Sequence, residues 1–170
     1  MKFLKVLSLI LLGCIVLFFL VGIFLPKMGT LEKTYDIATQ AEAIQDEIIQ
    51  LYENHLWPIW DSEDTSIVFL PLENGTGYSW EGPTVGTGEC IYTLAINFTI
   101  HDYISFNGQE LAETIWRIDG TDPVVLNFSI MIDAGKNIST RWTNLFMNRM
   151  IGDEIDKLIK EIQATVEIPN

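Results

Sequence analysis

Between residues 65 and 132 the chain is cut into six short segments by turn-forming residues, and this pattern leaves little choice of fold. The segments are TSIVFLP, GYSWEG, GECIYTLA, IHDYISF, ELAETIWRI and VVLNFSIMI. Between them stand ENGTG, PTVG, INFT, NGQ and DGTDP, rich in the Gly, Pro, Asn and Asp that reverse a backbone. Parallel neighbours need a crossover of a dozen or more residues, so connections this short force antiparallel pairing. In the last segment Leu126, Phe128, Ile130 and Ile132 alternate with Asn127 and Ser129, which predicts one covered face and one wet face. A long helix is then predicted from near Ser139. Its apolar stripe includes Trp142, Leu145, Phe146, Met150, Ile155, Ile159 and Ile162. A curved antiparallel sheet wrapped around that helix satisfies the order with short connections.

Upstream, LEKTYDI at 31–37 reads as a strand. Thr39 with Glu42 three residues on has the form of a capping box, opening a helix whose apolar positions are Ile44, Ile48, Leu51 and Tyr52. Pro58 ends regular helix, and Trp57 and Trp60 are expected to pack the helix end onto the core. The sheet then has about seven strands, an α+β arrangement.

The N-terminus is a different material. Val6 to Leu25 is apolar apart from Ser8, and twenty residues at about 1.5 Å each reach about 30 Å, the bilayer core. The run is longer than a removable signal and ends in FLPKMG without an A-x-A-like site, so an uncleaved signal anchor is expected. LLGC at 11–14 hints at lipoprotein processing, but the stretch after Cys14 is apolar where a polar tether would begin. The expected division is 1–29 for anchor and linker and 30–170 for the domain. Lys2, Lys5 and the amino terminus outnumber Lys27, which places the domain on the extracytoplasmic side of a single-pass protein. From residue 30 onward 7 basic side chains stand against 23 acidic ones, a net charge of −16. Such a surface repels phosphate backbones, and nucleic acid is excluded as a partner. Cys14 and Cys90 lie in different phases and form no disulfide. Four N-x-[ST] triplets, at Asn74, Asn97, Asn127 and Asn137, are what chance gives in a chain rich in Asn and Thr.

In YSWEGPTVGTGEC, residues 78–90, Gly82, Gly86 and Gly88 allow a tight reversal, and Trp80 on the entering strand fills space between sheet and helix. Together with LWPIW at 56–60 and the closing helix RWTNLFMNRMIGDEIDKLIKEI at 141–162, this stretch resembles the SRPBCC superfamily. These are the START-like or helix-grip proteins that include polyketide cyclase-like members. The resemblance covers roughly residues 31 to 165, and membrane-anchored bacterial members look similar. Two departures are a first helix about a turn longer and the replacement of a usual Pro pair by Thr39 and Gln40. The resemblance implies a helix-grip fold with an apolar space between sheet and helix. Strand parity offers Tyr92, Trp116 and Phe128 as its lining, with Trp142 and Phe146 from the helix; the alternative is that these rings simply fill the core. Trp80 is either a core plug or a wall of the space, while His101 and Arg141 either orient a ligand there or lie on the surface.

Catalysis has little support in the sequence. There are two histidines, His55 and His101, and His101 and Asp102 are strand neighbours pointing to opposite faces. No H-E-x-x-H motif, Cys pair for zinc or phosphate-cradling loop is present, so no metal and no cofactor are expected. The expected function is non-catalytic binding of a hydrophobic small molecule or lipid by a membrane-anchored domain. Two alternatives stay open: a cyclase- or hydratase-like enzyme using the same cavity, and a partner-binding module with a filled core.

Overall fold

A computed structural model describes residues 2–57, 66–73, 76–83, 85–95, 97–121 and 123–166. The N-terminal helix α1 runs Lys2–Phe24 and is followed at once by β1, Met28–Ile37. Next come α2 (Ala41–Glu53), β2 (Val68–Pro71), β3 (Gly77–Gly82), β4 (Gly86–Ala95), β5 (Thr99–Phe106), β6 (Gln109–Asp119) and β7 (Val124–Asp133). The C-terminal helical region consists of α3 (Ile138–Leu145), α4 (Met147–Met150) and α5 (Gly152–Val166).

All seven strands form one curved antiparallel sheet in the order β1-β7-β6-β5-β4-β3-β2. β2 to β7 make the meander that the short turns require. β1 comes back along the far edge, pairing with β7 from Met28↔Asp133 to Ile37↔Val124. Along β7 the buried residues Val124, Leu126, Phe128 and Ile130 alternate with half-exposed ones, as period-2 patterning dictates. The concave face takes up α5 through Ile155, Ile159 and Ile162, all at most 2% exposed, and α2 through Ile44, Ile48, Leu51 and Tyr52. Lys33 on β1 donates to both oxygens of Asp156 on α5 at 2.9 and 2.8 Å, and Tyr35 Oη donates to Oδ1 at 2.6 Å. These bonds hold the Asp156 carboxyl below its ordinary range.

The start of α2 differs from the expected capping box. Gln40 is the N-cap and makes no side-chain cap, while Thr39 Oγ1 donates to the Val166 carbonyl 2.9 Å away. The hydroxyl thus serves the end of α5 instead of its own helix. The end of α2 is a Schellman turn: Leu56 N–H bonds Leu51 O at 2.8 Å and His55 N–H bonds Tyr52 O at 3.1 Å. His55 takes the left-handed position usually given to glycine, with φ 58°. Its ring stacks on Phe69 at 4.7 Å and meets Tyr78 edge-on at 4.7 Å. The turn delivers Trp57 into the core at 2% exposure. Pro58 and Trp60 lie outside the described residues.

The expected long helix is present but interrupted. Phe146, at φ −105° and ψ 6°, leaves helical geometry between α3 and α4, and Ile151 stands between α4 and α5. The ladder is partly carried across by Ile151 N–H to Met147 O at 2.8 Å and Ile155 N–H to Ile151 O at 2.9 Å. The interruption splits the apolar stripe. Ile155, Ile159 and Ile162 face the sheet, whereas Leu145, Phe146 and Met150 are exposed.

Trp80 and Gly88 are direct partners across β3 and β4. A Cβ on Gly88 would meet Trp80 Cζ2 at 2.1 Å and the Ser105 carbonyl oxygen at 2.5 Å. The indole therefore lies flat over a glycine, and that explains a Trp in a glycine-rich stretch. Gly82 and Gly86 close the hairpin, with Gly86 at φ 72°. Gly88→Ala is expected to destabilise the fold by about 1–3 kcal/mol through overpacking. Urea unfolding would register this as a lower midpoint, and an unchanged midpoint would refute the ring-on-glycine packing.

Candidate functional site

The concave face carries two features that could do chemistry or bind. The first is an apolar cavity of about 230 Å³ between the sheet and the α4–α5 junction. Ile104, Ala112, Ile130 and Ile132 form its floor, Trp57 one wall, and Met150 and Ile151 its rim. Glu154 is the charged residue among its lining. Register explains the location: Ile104 pairs with Ala112 and Ala112 with Ile132, so the small Ala112 leaves a gap between two large neighbours. Across from this row stand Met150 and Ile151 at the α4–α5 junction and Glu154 in the first turn of α5.

The second feature is a buried polar cluster one register step away. Tyr92, Asp102 and Thr114 lie side by side across β4, β5 and β6. Asp102 is fully buried, and its Oδ2 accepts from Tyr52 Oη at 2.5 Å and from Trp57 Nε1 at 3.3 Å. Trp116 Nε1 donates to Tyr52 Oη at 3.0 Å, and the Tyr52 and Tyr92 rings stack at 4.5 Å. The Thr114 hydroxyl sits beside the carboxylate, yet neither it nor Asp102 Oδ1 reaches hydrogen-bond geometry with any described residue. Burial pushes the Asp102 carboxyl up to about 7, and the bonds from Tyr52 and Trp57 and the nearby Thr114 hydroxyl hold it from going further. Burial raises the Tyr52 hydroxyl, with Asp102 adding to it. The Cys90 thiol, also buried, is raised first by desolvation and then by Asp102. A thiol so placed is not a nucleophile at neutral pH.

The eight residues expected at the site separate into two groups. Trp80, Tyr92, Trp116 and Phe128 face inward, as strand parity predicts, but none of them lines the apolar cavity. Trp116 and Phe128 lie 4.6 Å apart, and Trp57 contacts them at 5.1 and 5.7 Å; the three rings fill one another's space. Trp80 meets Phe106 at 5.2 Å. His101, Arg141, Trp142 and Phe146 lie away from the cavity. His101 is on the outer face of the sheet, where Nε2 is 2.6 Å from Glu113 Oε1. Its neighbour Asp102 takes the inward position, because Ile100 and Ile104 set the parity of β5. Arg141 is buried against backbone: it donates to Gly135 O at 3.2 and 2.6 Å and to Ile23 O of α1 at 2.9 Å. Trp142 stacks on Phe18 of α1 at 5.1 Å and donates to its carbonyl at 3.3 Å. Phe146 is exposed. Among the described residues no group of three or more His, Cys, Asp or Glu could hold a metal ion.

No family model and no curated protein sequence matches the chain. Solved structures do. A START superfamily protein from Mycobacterium smegmatis matches with TM-score 0.52 and 17% identity, over 81% of this chain and 97% of that one. The di-domain ARO/CYC protein BexL from the BE-7585A biosynthetic pathway matches with TM-score 0.58 and 11% identity, over 85% of this chain and 52% of that one. A Thalictrum flavum norcoclaurine synthase point mutant in complex with a transition state analogue matches with TM-score 0.55 and 11% identity, over 81% and 96%. This chain thus has the START-like helix-grip fold of these structures. At such identities the likeness speaks to fold. α1, whose segment Phe3–Phe24 is apolar and 22 residues long, has the length and composition to cross a membrane.

Asp102 gives a pH test whose sign is fixed. In the fold its carboxyl titrates near 7, against an ordinary value of 3.8. Between these pH values the unfolded chain has lost a proton that the fold keeps. The contribution is therefore fully present below about 4, falls as pH rises through about 7, and is level above. Asp102→Asn removes this fall. Denaturant unfolding at pH 5 and pH 8 should show the variant gaining on the parent by on the order of a few kcal/mol at the higher pH. A pH-independent difference would contradict the assignment.

Proposed function

We propose that the chain is a membrane-anchored domain that holds an apolar small molecule or a lipid tail in the cavity between sheet and C-terminal helix, without chemical turnover. Residues 1–29 act as anchor and linker, and residues 30–170 form the binding domain on the extracytoplasmic side. The observation that carries this reading is the cavity itself: apolar walls from six sheet positions, with a single carboxylate, Glu154, among its lining residues. Binding sites for apolar ligands have this character. At about 230 Å³ it is smaller than the roughly 300–1,000 Å³ of drug-sized sites, which favours a compact ring or one acyl segment. The structural neighbours include a START superfamily protein and di-domain ARO/CYC proteins of biosynthetic pathways, which supports binding of a small molecule in this space. Non-catalytic binding is favoured because His101 and Arg141 are turned away from the cavity and engaged elsewhere.

One observation favours a second reading, a cyclase- or hydratase-like reaction in the same space. Trp57 lines the cavity and also donates to Asp102, so one side chain separates a carboxyl titrating near neutrality from the ligand space.

The full chain, extracted from native membranes and analysed by mass spectrometry, is expected to carry a reproducible apolar compound. Ala112→Trp, which fills the floor of the cavity, should abolish that co-purification while the far-ultraviolet circular dichroism stays that of the parent. Equal retention by the variant would refute binding at this cavity. Conversion of the bound compound on incubation, lost in Asp102→Asn, would instead establish the enzymatic reading.

A further inference from the structure

We infer that the α3–α4 segment is seated in the headgroup layer of an anionic bilayer beside α1, so that the mouth of the apolar cavity opens against lipid. The inference rests on the anchor reading above and adds to it the posture of the domain.

Charge is the first observation. In a domain of net charge −16, the stretch from Ala134 to Gly152 contains Lys136, Arg141 and Arg149 and no acidic residue, and Asp133 and Asp153 bracket it. Arg141 is consumed by backbone carbonyls, but Lys136 and Arg149 are exposed. A surface that elsewhere repels anionic headgroups is here matched to them.

Exposed apolar side chains occur in the same stretch. Leu145, Phe146 and Met150 are 51%, 55% and 57% exposed. A helical segment with large apolar side chains and basic neighbours has the composition of one lying in a membrane interface.

Depth is the third observation. Trp142 stacks on the ring of Phe18 and donates to its carbonyl. Phe18 precedes the last residue of α1, Phe24, by six positions, about 9 Å along the axis. If α1 spans the bilayer, α3 is therefore held level with apolar helix and not above it. Interfacial helices bury to about 5–10 Å, and tryptophan is enriched at that level.

The attachment is also tight. A Cβ on Gly22 would lie 2.3 Å from Ile138 Cγ2, so the Ile138 side chain of α3 packs directly on the backbone of α1. Arg141 bridges Ile23 O and Gly135 O, and Ala134 N–H bonds Lys27 O at 2.8 Å. Seated this way, the domain presents Met150 and Ile151, the rim of the cavity, to the lipid.

The test uses the full chain with Cys14→Ser, since Cys90 is fully buried. A bimane fluorophore is placed in turn on Leu9→Cys, Phe146→Cys and Lys157→Cys variants. Each is reconstituted in nanodiscs of phosphatidylcholine and phosphatidylglycerol carrying doxyl lipids. The expected result is that the labels at positions 9 and 146 lose most of their fluorescence and the label at 157 does not. If position 9 is quenched by lipid while position 146 responds to aqueous iodide alone, the domain stands off the bilayer; the inference fails and the anchor stands. If position 146 is shielded from both quenchers, a protein surface covers it and the inference fails. Absence of lipid quenching at position 9 would remove the anchor and the inference together.

Discussion

The seating of α5 on the concave face of the sheet is the contact from which the rest of the molecule follows. Ile155, Ile159 and Ile162 recur at one helical face and are almost wholly buried. At about 1.5–3 kcal/mol for each buried aliphatic side chain, such a stripe is worth several kcal/mol before the entropy of ordering it is subtracted. The sheet must curve to cover the helix, and α2 closes the remaining side with Ile44, Ile48 and Leu51. Lys33 and Tyr35 fix the azimuth of the helix by converging on Asp156. The stripe stops at Gly152. Beyond that point the chain passes through Ile151 and Phe146 toward α1, and Met150, Ile151 and Glu154 face the row of Ile104, Ala112, Ile130 and Ile132 across a gap. The cavity is thus a consequence of where the helix breaks.

The polar cluster shows the cost side of the same architecture. A carboxyl at full burial is expensive unless bonded, and among the described residues Tyr52 and Trp57 both donate to Asp102 Oδ2. Raising its titration to about 7 reduces that cost by keeping a proton on the group through mildly acidic conditions. The cluster also ties α2 to three strands and sets the position of Trp57, which is a wall of the cavity. Polar cluster and apolar cavity are therefore mechanically one unit.

Much of the fold was legible in the sequence because turn residues and period-2 alternation leave little freedom. The seven antiparallel strands, the inward positions of Trp80, Tyr92, Trp116 and Phe128, and the C-terminal helix follow from them. The site was harder to read. Parity for β5 was ambiguous at the His101–Asp102 pair, and the better guide is the apolar frame of Ile100 and Ile104, which puts Asp102 inside. Aromatic residues were natural candidates for a lining, but large rings fill each other's space, and the cavity is found beside the small Ala112 instead. Trp142, Leu145, Phe146 and Met150 fit the helical stripe by spacing alone. Nothing local marks the break at Phe146; what the spacing does not show is that α3 packs on α1 through Trp142 and Arg141. Thr39 likewise had the spacing of a capping box, and a longer-range carbonyl, that of Val166, took its hydroxyl.

The break in the helix, the gap beside Ala112 and the contact with the apolar N-terminal helix together support the proposal of a cavity that holds a ligand near an anchor. Isoleucine methyl resonances report on this directly. When a short-chain lipid is titrated into the full chain in nanodiscs, the methyl signals of Ile104, Ile130, Ile132 and Ile151 should move together and saturate, while those of Ile155, Ile159 and Ile162 stay in place. Shifts spread over the outer strands, or no saturable shift at Ile104 and Ile130, would mean that the space between helix and sheet holds no ligand.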